Sequence, residues 1–251
     1  MEALIKETYT LPSLGKVYDE QFDPEITIRS MTMEEEMKRL GHNERPNKIM
    51  SEIIDRCLVD KKPKISSYDM CLGDYNFLYH KLRVVTYGKM CNMETVCPVC
   101  GAVTKTQVDL DGLKISTYTE ELEKYRTFKL PQSGHEITIG IQTPRDIDTI
   151  VLKKKEFLKR HQDFEGEPAL LLNLLNVIRT IDSEKVPETK LETFVRKLPM
   201  KDVNFILRCA EKLSSGIGVN TSVEVNCQEC GLAYTSSFRP NSEFFGPEID
   251  L

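Results

Sequence analysis

The motif Cys-x-x-Cys-Gly occurs twice in this chain, and this repeat constrains the fold more than any other feature. Its cysteines are Cys97, Cys100, Cys227 and Cys230, and residues 101–226 separate the two pairs. Gly101 and Gly231 follow the pairs, and glycine allows the positive φ that turns peptide N–H groups toward the two sulfurs. Glycine at this position fits a metal site better than a redox site. Each pair therefore predicts a metal-binding knuckle.

Strand-like segments flank both motifs. Residues 89–96 and 102–110 border the first pair, and residues 220–226 and 232–238 border the second. Both surroundings predict a β-hairpin-like arm with the cysteines at its turn. Four thiolates from two such arms give a closed tetrahedral site that suits Zn²⁺ and leaves no position for substrate or activated water. We therefore expect one structural Zn²⁺ per chain, held by Cys97, Cys100, Cys227 and Cys230.

Three alternatives to the shared zinc site stay open at this point. A redox motif would need a thioredoxin-like strand and helix around the pair. A disulfide within each pair would need an oxidising compartment. The third alternative is that the pairs lie too far apart for one site, because zinc ribbons separate their pairs by only about 15–20 residues. The long separation would be explained if the intervening residues form a self-contained insertion and the two arms meet in space. His80 and Cys91 are conceivable replacement ligands, although neither lies in a knuckle.

Composition indicates a globular protein. The 251 residues are 40% hydrophobic and carry a formal net charge of −5, so no overall basic field favours nucleic acid or an anionic membrane. No apolar run approaches the roughly 20 residues that cross a bilayer, and the first residues lack a secretory pattern. We expect a soluble intracellular protein. Four single cysteines lie in apolar patterns and are predicted to be buried: Cys57, Cys71, Cys91 and Cys209.

The sequence predicts an α+β fold in which a zinc ribbon is split by an inserted helical module. The predicted regions are an N-terminal strand and helical region (1–90), the first zinc-ribbon arm (91–110), the helical insert (111–217), the second arm (218–238) and a C-terminal tail (239–251). In the first region, 25–31 alternates like a strand, and Thr32 and Glu35 form a capping box that opens a helix ending at Gly41. Two further helices are predicted within 51–60 and 73–88.

The insert has several strong helix signals. Residues 135–142 alternate like a strand, and Thr143 followed by Pro144 predicts the start of a helix. Further helices are predicted in 166–181, 188–198 and 200–213 from their apolar spacing. The basic run 153–155 could contact phosphate, but the acids around it favour a solvated helix face.

No local motif for catalysis is present. The chain lacks a phosphate-binding glycine loop, a nucleophile elbow and an HExxH motif, and its four histidines do not accompany a catalytic pattern. Arg83 and Asp74 lie on one apolar helix, and we expect pairing with backbone or opposite charge in an architectural role. The sequence therefore predicts a protein that is not an enzyme and has no small-molecule substrate.

Aromatic and apolar residues near both ends are candidate contacts to partner proteins. They lie in segments rich in proline and glycine, and they are Leu11, Tyr18, Phe244 and Phe245. Aromatic residues on extended segments are common anchors in protein interfaces. Folding back onto the chain's own core is the alternative, and the sequence does not decide between the two.

Several segments, in order, resemble a known family. They are LPSLGKVY, ITIRSMTMEEEMKRL, GDYNFLYHKLRVVTYG, CPVCG, KDVNFILRCAEKL, CQECG and SEFFGP. From about Tyr9 to Pro247 the chain resembles the baseplate hub family of T-even-like contractile-tailed bacteriophages. It departs from the family's pattern at Gly246, where a basic residue is expected.

The resemblance implies a non-catalytic protein of the tail baseplate, either a subunit or a hub assembly factor, located in the virion or in the host cytoplasm during assembly. Its partners would be other baseplate or tail proteins, and its metal ligands carry over onto the four motif cysteines. The competing function is a zinc-ribbon accessory protein that binds nucleic acid in phage transcription or replication, for which Lys105 and Lys114 lie near the first arm. The acidic balance argues against it.

Overall fold

The structure, a computed structural model, describes residues 4–41, 43–162, 165–238 and 244–246. The N-terminal region contains a three-stranded antiparallel sheet in the order β1-β2-β3, formed by Lys6–Thr10, Glu25–Arg29 and Leu58–Val59. Its helices are α1 (Met33–Leu40), α2 (Pro46–Cys57) and α3 (Leu72–Tyr87). The predicted capping box is confirmed, since the Glu35 carboxylate accepts from the Thr32 N–H at 2.8 Å. As predicted, α1 ends before Gly41.

Both predicted arms are antiparallel hairpins. The first arm pairs β4 (Met90–Val96) with β5 (Val103–Asp109), and their register runs from Met90 opposite Asp109 to Val96 opposite Val103. The second arm pairs β11 (Ser222–Asn226) with β12 (Ala233–Ser237). In each arm the Cys-x-x-Cys motif forms the connection between the two strands.

The region between the arms is mixed rather than purely helical. Its strands are β6 (Ile115–Ser116), β7 (Thr127–Lys129), β8 (Glu136–Ile139), β9 (Ile178–Ile181) and β10 (Gly218–Val219), and its helices are α4 (Pro144–Arg160), α5 (Ala169–Val177), α6 (Glu188–Lys197) and α7 (Met200–Ser215). β7, β8 and β9 form an antiparallel sheet, and β6 pairs with β10. The insert thus contains the predicted helices and the strand-like segment within 135–142, and it adds the unpredicted strands β6, β7 and β9. The expected long helix over 166–181 ends at Val177, because the β-branched Ile178–Ile181 segment pairs with β8 instead.

Two hydrophobic clusters form the core. The first cluster packs β2, α2 and α3 against the inner faces of the arms, and the second packs β8 and β9 against α5, α6 and α7. All four single cysteines are buried as predicted: Cys57, Cys71, Cys91 and Cys209. Within the described parts of the chain, no helix is long and apolar enough to cross a membrane.

A close contact between Gly218 and Gly73 brings the start of the second arm next to α3. Gly218 has φ +112, and a Cβ built on it would lie 2.8 Å from the Cα of Gly73, at the start of α3. A side chain at position 218 would therefore be strained and would collide with the helix. This approach brings the chain leaving α7 back onto α3, four residues before β11 begins at Ser222.

Candidate metal centre

The first knuckle is closed by two backbone hydrogen bonds. The Cys97 N–H donates to the Ala102 carbonyl at 2.9 Å, and the Gly101 N–H donates to the Cys97 carbonyl at 3.0 Å. Gly101 has φ +72, and a Cβ added to it would meet no atom within 4 Å. Backbone conformation rather than lack of space therefore requires glycine here.

The second knuckle repeats this geometry. The Cys227 N–H donates to the Leu232 carbonyl at 2.8 Å, the Gly231 N–H donates to the Cys227 carbonyl at 3.0 Å, and Gly231 has φ +73. Two segments far apart in the sequence thus present their thiols on the same local structure. The predicted reason for both glycines is confirmed.

The two arms bring the four thiols together. All four Sγ atoms, of Cys97, Cys100, Cys227 and Cys230, lie within 4.8 Å of one another. The Sγ atoms of Cys100 and Cys227 are 3.5 Å apart, and those of Cys97 and Cys230 are 3.7 Å apart. A tetrahedron with metal–sulfur bonds of about 2.3 Å has edges of about 3.8 Å. The four thiols and the Sγ–Sγ distances between the arms therefore fit one metal ion in tetrahedral S₄ coordination. Residues 101–226, which lie between the two pairs, do not prevent the pairs from meeting.

Contacts outside the knuckles also join the arms. Thr95 Oγ1 and Ser236 Oγ lie 2.9 Å apart and form a hydrogen bond between β4 and β12. Cys91 and Met93 on β4 and Val225 on β11 turn into the protein and are buried. The inner faces of both hairpins thus fix the position of the thiols.

Backbone N–H groups favour the thiolate form of one cysteine in each knuckle. N–H groups of Cys100 and Val99 lower the pKa of Cys97. In the second knuckle, N–H groups of Cys230 and Glu229 lower the pKa of Cys227 to about 6. Metal binding needs deprotonated sulfur, so the knuckle backbone assists it directly.

The second cysteine of each pair shows the opposite shift. The Ala102 N–H favours the thiolate of Cys100, but the neighbouring Cys227 sulfur raises the pKa of Cys100 to about 12. The pKa of Cys230 is likewise raised next to Cys227, although the Leu232 N–H acts in the other direction. Four adjacent negative sulfurs repel one another, and a divalent cation between them would remove that cost.

The alternatives to a shared site do not match this geometry. Each pair lies at a turn between strands and not at the start of a helix, unlike the thioredoxin context. The eight cysteines all lie in the described residues, and none of them forms a disulfide. Neither conceivable replacement ligand belongs to the cluster: His80 Nδ1 bonds the Asn76 carbonyl at 2.7 Å, and Cys91 lies near the Asn92 carbonyl at 3.8 Å. Among the described residues no other group of His, Cys, Asp or Glu side chains could hold a metal.

The candidate partner-binding residues are mostly buried in the chain's own core. Leu11 is 0%, Phe244 1% and Phe245 2% exposed. The rings of Phe244 and Tyr79 stack at 5.1 Å. These three residues therefore fold back onto the chain's own core, because their apolar side chains belong to the first hydrophobic cluster. Tyr18 is half-buried.

Asp74 and Arg83 make the architectural contacts predicted for them. The Asp74 carboxylate accepts from the Ser13 N–H at 2.9 Å, from the Ser13 hydroxyl at 2.5 Å and from the Tyr18 hydroxyl at 2.6 Å. Burial raises the pKa of Asp74, and these three donors oppose that shift. Arg83 donates to three backbone carbonyls. Both residues tie irregular segments onto α3.

Lys105 in the first arm and two lysines of α4 lie close to acidic partners. Lys105 lies 2.9 Å from Glu94. On α4, Lys153 pairs with Glu188 at 2.6 Å and Lys154 pairs with Glu167 at 2.8 Å, as expected for a solvated helix face. These pairs reduce the positive field that a nucleic-acid backbone would need.

Sequence reasoning missed three exposed valines at the tip of the first arm, Val96, Val99 and Val103. The sequence contained a sign of this exposure, because the strand alternation predicts which arm residues point outward. Val96 precedes the first knuckle cysteine, and Val103 lies directly opposite Val96 in the hairpin. Outward positions of a half-buried hairpin are normally polar, so apolar residues there mark a candidate contact surface.

Fold and site together define a class: an α+β protein in which two distant hairpins form one closed cluster of four thiols. An ion held by all four thiols would have no open position for a reacting molecule.

Comparison with family models identifies the family. The model for the T4 bacteriophage base plate protein matches residues 4–246. The chain belongs to this family, as the sequence resemblance predicted at the level of the baseplate. Searches of curated proteins and of solved structures gave no match.

Proposed function

We propose that this chain is a non-catalytic component of the contractile-tail baseplate of a T4-like phage and that it acts through protein–protein contacts. The observation that carries the proposal is the family match, which spans residues 4–246 and so includes both arms and everything between them. Its partners are other baseplate or tail proteins, and its place is the virion tail or the host cytoplasm during assembly. The resemblance of the N-terminal and α3 segments to hub proteins favours the hub.

The metal in this proposal is one structural Zn²⁺ held by Cys97, Cys100, Cys227 and Cys230. Two distances support it, 3.5 and 3.7 Å between sulfurs of opposite arms, together with an all-thiol donor set. The ion would hold the two hairpins in a fixed relation to α3. Such rigidity suits a protein whose surfaces must be in place before partners bind.

Quantitative mass spectrometry of purified particles tests the baseplate proposal. Peptides of this chain are measured against those of known tail proteins from the same particles. A fixed ratio to those proteins is expected for a built-in subunit. Absence from particles combined with abundance in infected cells would indicate a transient assembly factor. Absence from particles and from every intermediate of tail assembly would overturn the proposal, and a gel shift at low salt would then test nucleic-acid binding.

A further inference from the structure

The outer face of the first arm carries an exposed apolar group at its tip. We define this face by the alternate residues of β4 and β5 that point away from the core: Asn92, Glu94, Val96, Val103, Lys105 and Gln107. Val96 is 60% exposed and Val103 61% exposed, and Val99 in the adjoining knuckle is 73% exposed. Residues between them, such as Met93 and Thr104, are buried. The arm is thus apolar on its inner face and at its outer tip.

The second arm shows that the knuckle itself does not require these valines. Counting from the first cysteine of each pair, the positions of Val96, Val99 and Val103 correspond to Asn226, Glu229 and Ala233. Both knuckles have the same hydrogen bonds and nearly the same glycine φ. The same backbone therefore forms with polar or small residues at these places. A cluster of exposed valines that folding does not need indicates a contact surface.

The arrangement of the face indicates what the surface binds. Two cross-strand rows lie side by side: Val96 opposite Val103, and Glu94 opposite Lys105. Glu94 and Lys105 are 62% and 80% exposed at their side chains and lie 2.9 Å apart. A two-fold axis parallel to the strands would place Val96 over the partner's Val103. The same axis would place Glu94 over the partner's Lys105. The face is therefore complementary to itself in both apolar contact and charge.

We propose that the outer face of the first arm is a self-association surface that docks on the same face of a second copy of this chain. The inference does not rest on the baseplate proposal. Sheets that pack face to face lie about 10 Å apart, a distance that glutamate and lysine side chains can bridge. The face has only the six residues that define it and Val99, against roughly 20–30 residues per partner in a standard interface, so the association is weak.

Sedimentation velocity and native mass spectrometry of the full chain, from about 1 μM to about 1 mM, measure this association. We expect a monomer–dimer equilibrium within that range. The double variant Val96→Asn with Val103→Ala carries the residues of the second arm and should weaken dimerisation at least about tenfold. Its metal content and thermal midpoint should stay unchanged. Val151→Asn, which changes a 45% exposed valine on α4, is the matched control and should dimerise normally.

Charge complementation between two variants tests the two-fold arrangement. Glu94→Lys and Lys105→Glu should each be monomeric, because each brings two like-charged rows together. An equimolar mixture should form heterodimers, because the lysine row of one variant then faces the glutamate row of the other. Heterodimer formation cannot come from restoring the Glu94–Lys105 ion pair within one chain, because each variant still carries two like charges. A wild-type chain that is monomeric throughout the range overturns the proposal, as does a dimer that survives the valine double variant or a mixture that stays monomeric.

Discussion

The buried guanidinium of Arg83 donates from Nε to the backbone carbonyl of Phe244, 161 positions later in the chain. The same group donates to the Gly88 carbonyl at 2.6 Å and to the Met90 carbonyl at 3.2 Å. Arg83 is 1% exposed. One side chain of α3 thus fixes the end of its own helix, the start of the first arm and a segment near the C-terminus.

Replacing Arg83 should be costly even when the charge is kept. Arg83 reaches the three carbonyls from three separate nitrogens, Nε, Nη1 and Nη2. In Arg83→Lys the three N–H donors sit on one nitrogen and cannot span those positions, so buried carbonyl groups lose their donor. We expect the free energy of unfolding to fall by roughly 2–4 kcal/mol. Urea unfolding followed by circular dichroism measures it. Arg145→Lys is the control, since Arg145 pairs with Asp69 at the surface. Weakening this exposed ion pair should lower the free energy of unfolding by less than about 1 kcal/mol. Equal effects of the two variants would contradict a special role for Arg83.

Phe244 and Phe245 should matter for folding. If these residues contacted partner proteins, as the sequence allowed, their truncation would spare the fold. Because the rings are 1% and 2% exposed and pack on Tyr79, each truncation should instead cost about 3–5 kcal/mol through lost burial and a cavity. Thermal unfolding of the single variants measures this cost. Met200→Ala, at a 59% exposed position, is a control that should stay near the wild type. If both phenylalanine variants melted at the wild-type temperature, the two rings would not contribute to the core, and a role in partner binding would be favoured.

Local patterns predicted the cluster of four cysteines and most helices because the determinants are local. The Cys-x-x-Cys-Gly motif contains its own turn, and Thr143 with Pro144 marks a helix start that the structure places at Pro144. The capping box of α1 is equally local. The meeting of the two distant pairs was predictable only because four cysteine thiolates together make up the ligand set of one tetrahedral zinc site.

Long-range packing could not be predicted from sequence. The three-stranded sheet inside the insert contains the short strand Thr127–Lys129, whose three residues have no readable period. The contact between Gly73 and Gly218 depends on where the insert returns to α3, which no local pattern encodes. The burial of Phe244 depends on its ring contacts with Tyr79 and His80, which lie far from it in the sequence. Tertiary contacts decided each of these features.

Acid should destabilise the protein partly through Glu35. Hydrogen bonds from Arg29, together with those from Thr32, lower the pKa of Glu35 from 4.5 to about 2. Because the folded pKa lies below the unfolded one, this stabilisation is present above about pH 5 and is lost as the pH falls through 4.5 toward 2. Glu35→Gln should therefore lose roughly 2–3 kcal/mol at pH 7 and show a flatter decline in acid.

Thermal midpoints between pH 7 and pH 3 measure this dependence. Glu34→Gln is the control, because Glu34 is 77% exposed at its side chain and pairs only loosely with Arg56 at 3.6 Å. It should match the wild type to within about 1 kcal/mol at every pH. Parallel acid profiles for wild type and Glu35→Gln would show that the carboxylate does not contribute in this way.

A single shared metal requires that damage to either arm have the same result. Cys97→Ser and Cys227→Ser should each abolish zinc binding, since three thiolates and a hydroxyl form a much weaker site. Each should also lower the thermal midpoint by a similar amount, because metal-binding energy contributes to folding and reaches about 10–16 kcal/mol in zinc peptides. Elemental analysis of the purified chain and thermal unfolding with and without chelator measure both effects. Cys209→Ser, at a buried cysteine outside the cluster, should keep one zinc per chain. A variant that keeps metal on one pair after losing the other would show two separate sites, and the two arms would then have to be held together by β4–β12 contacts and the core alone.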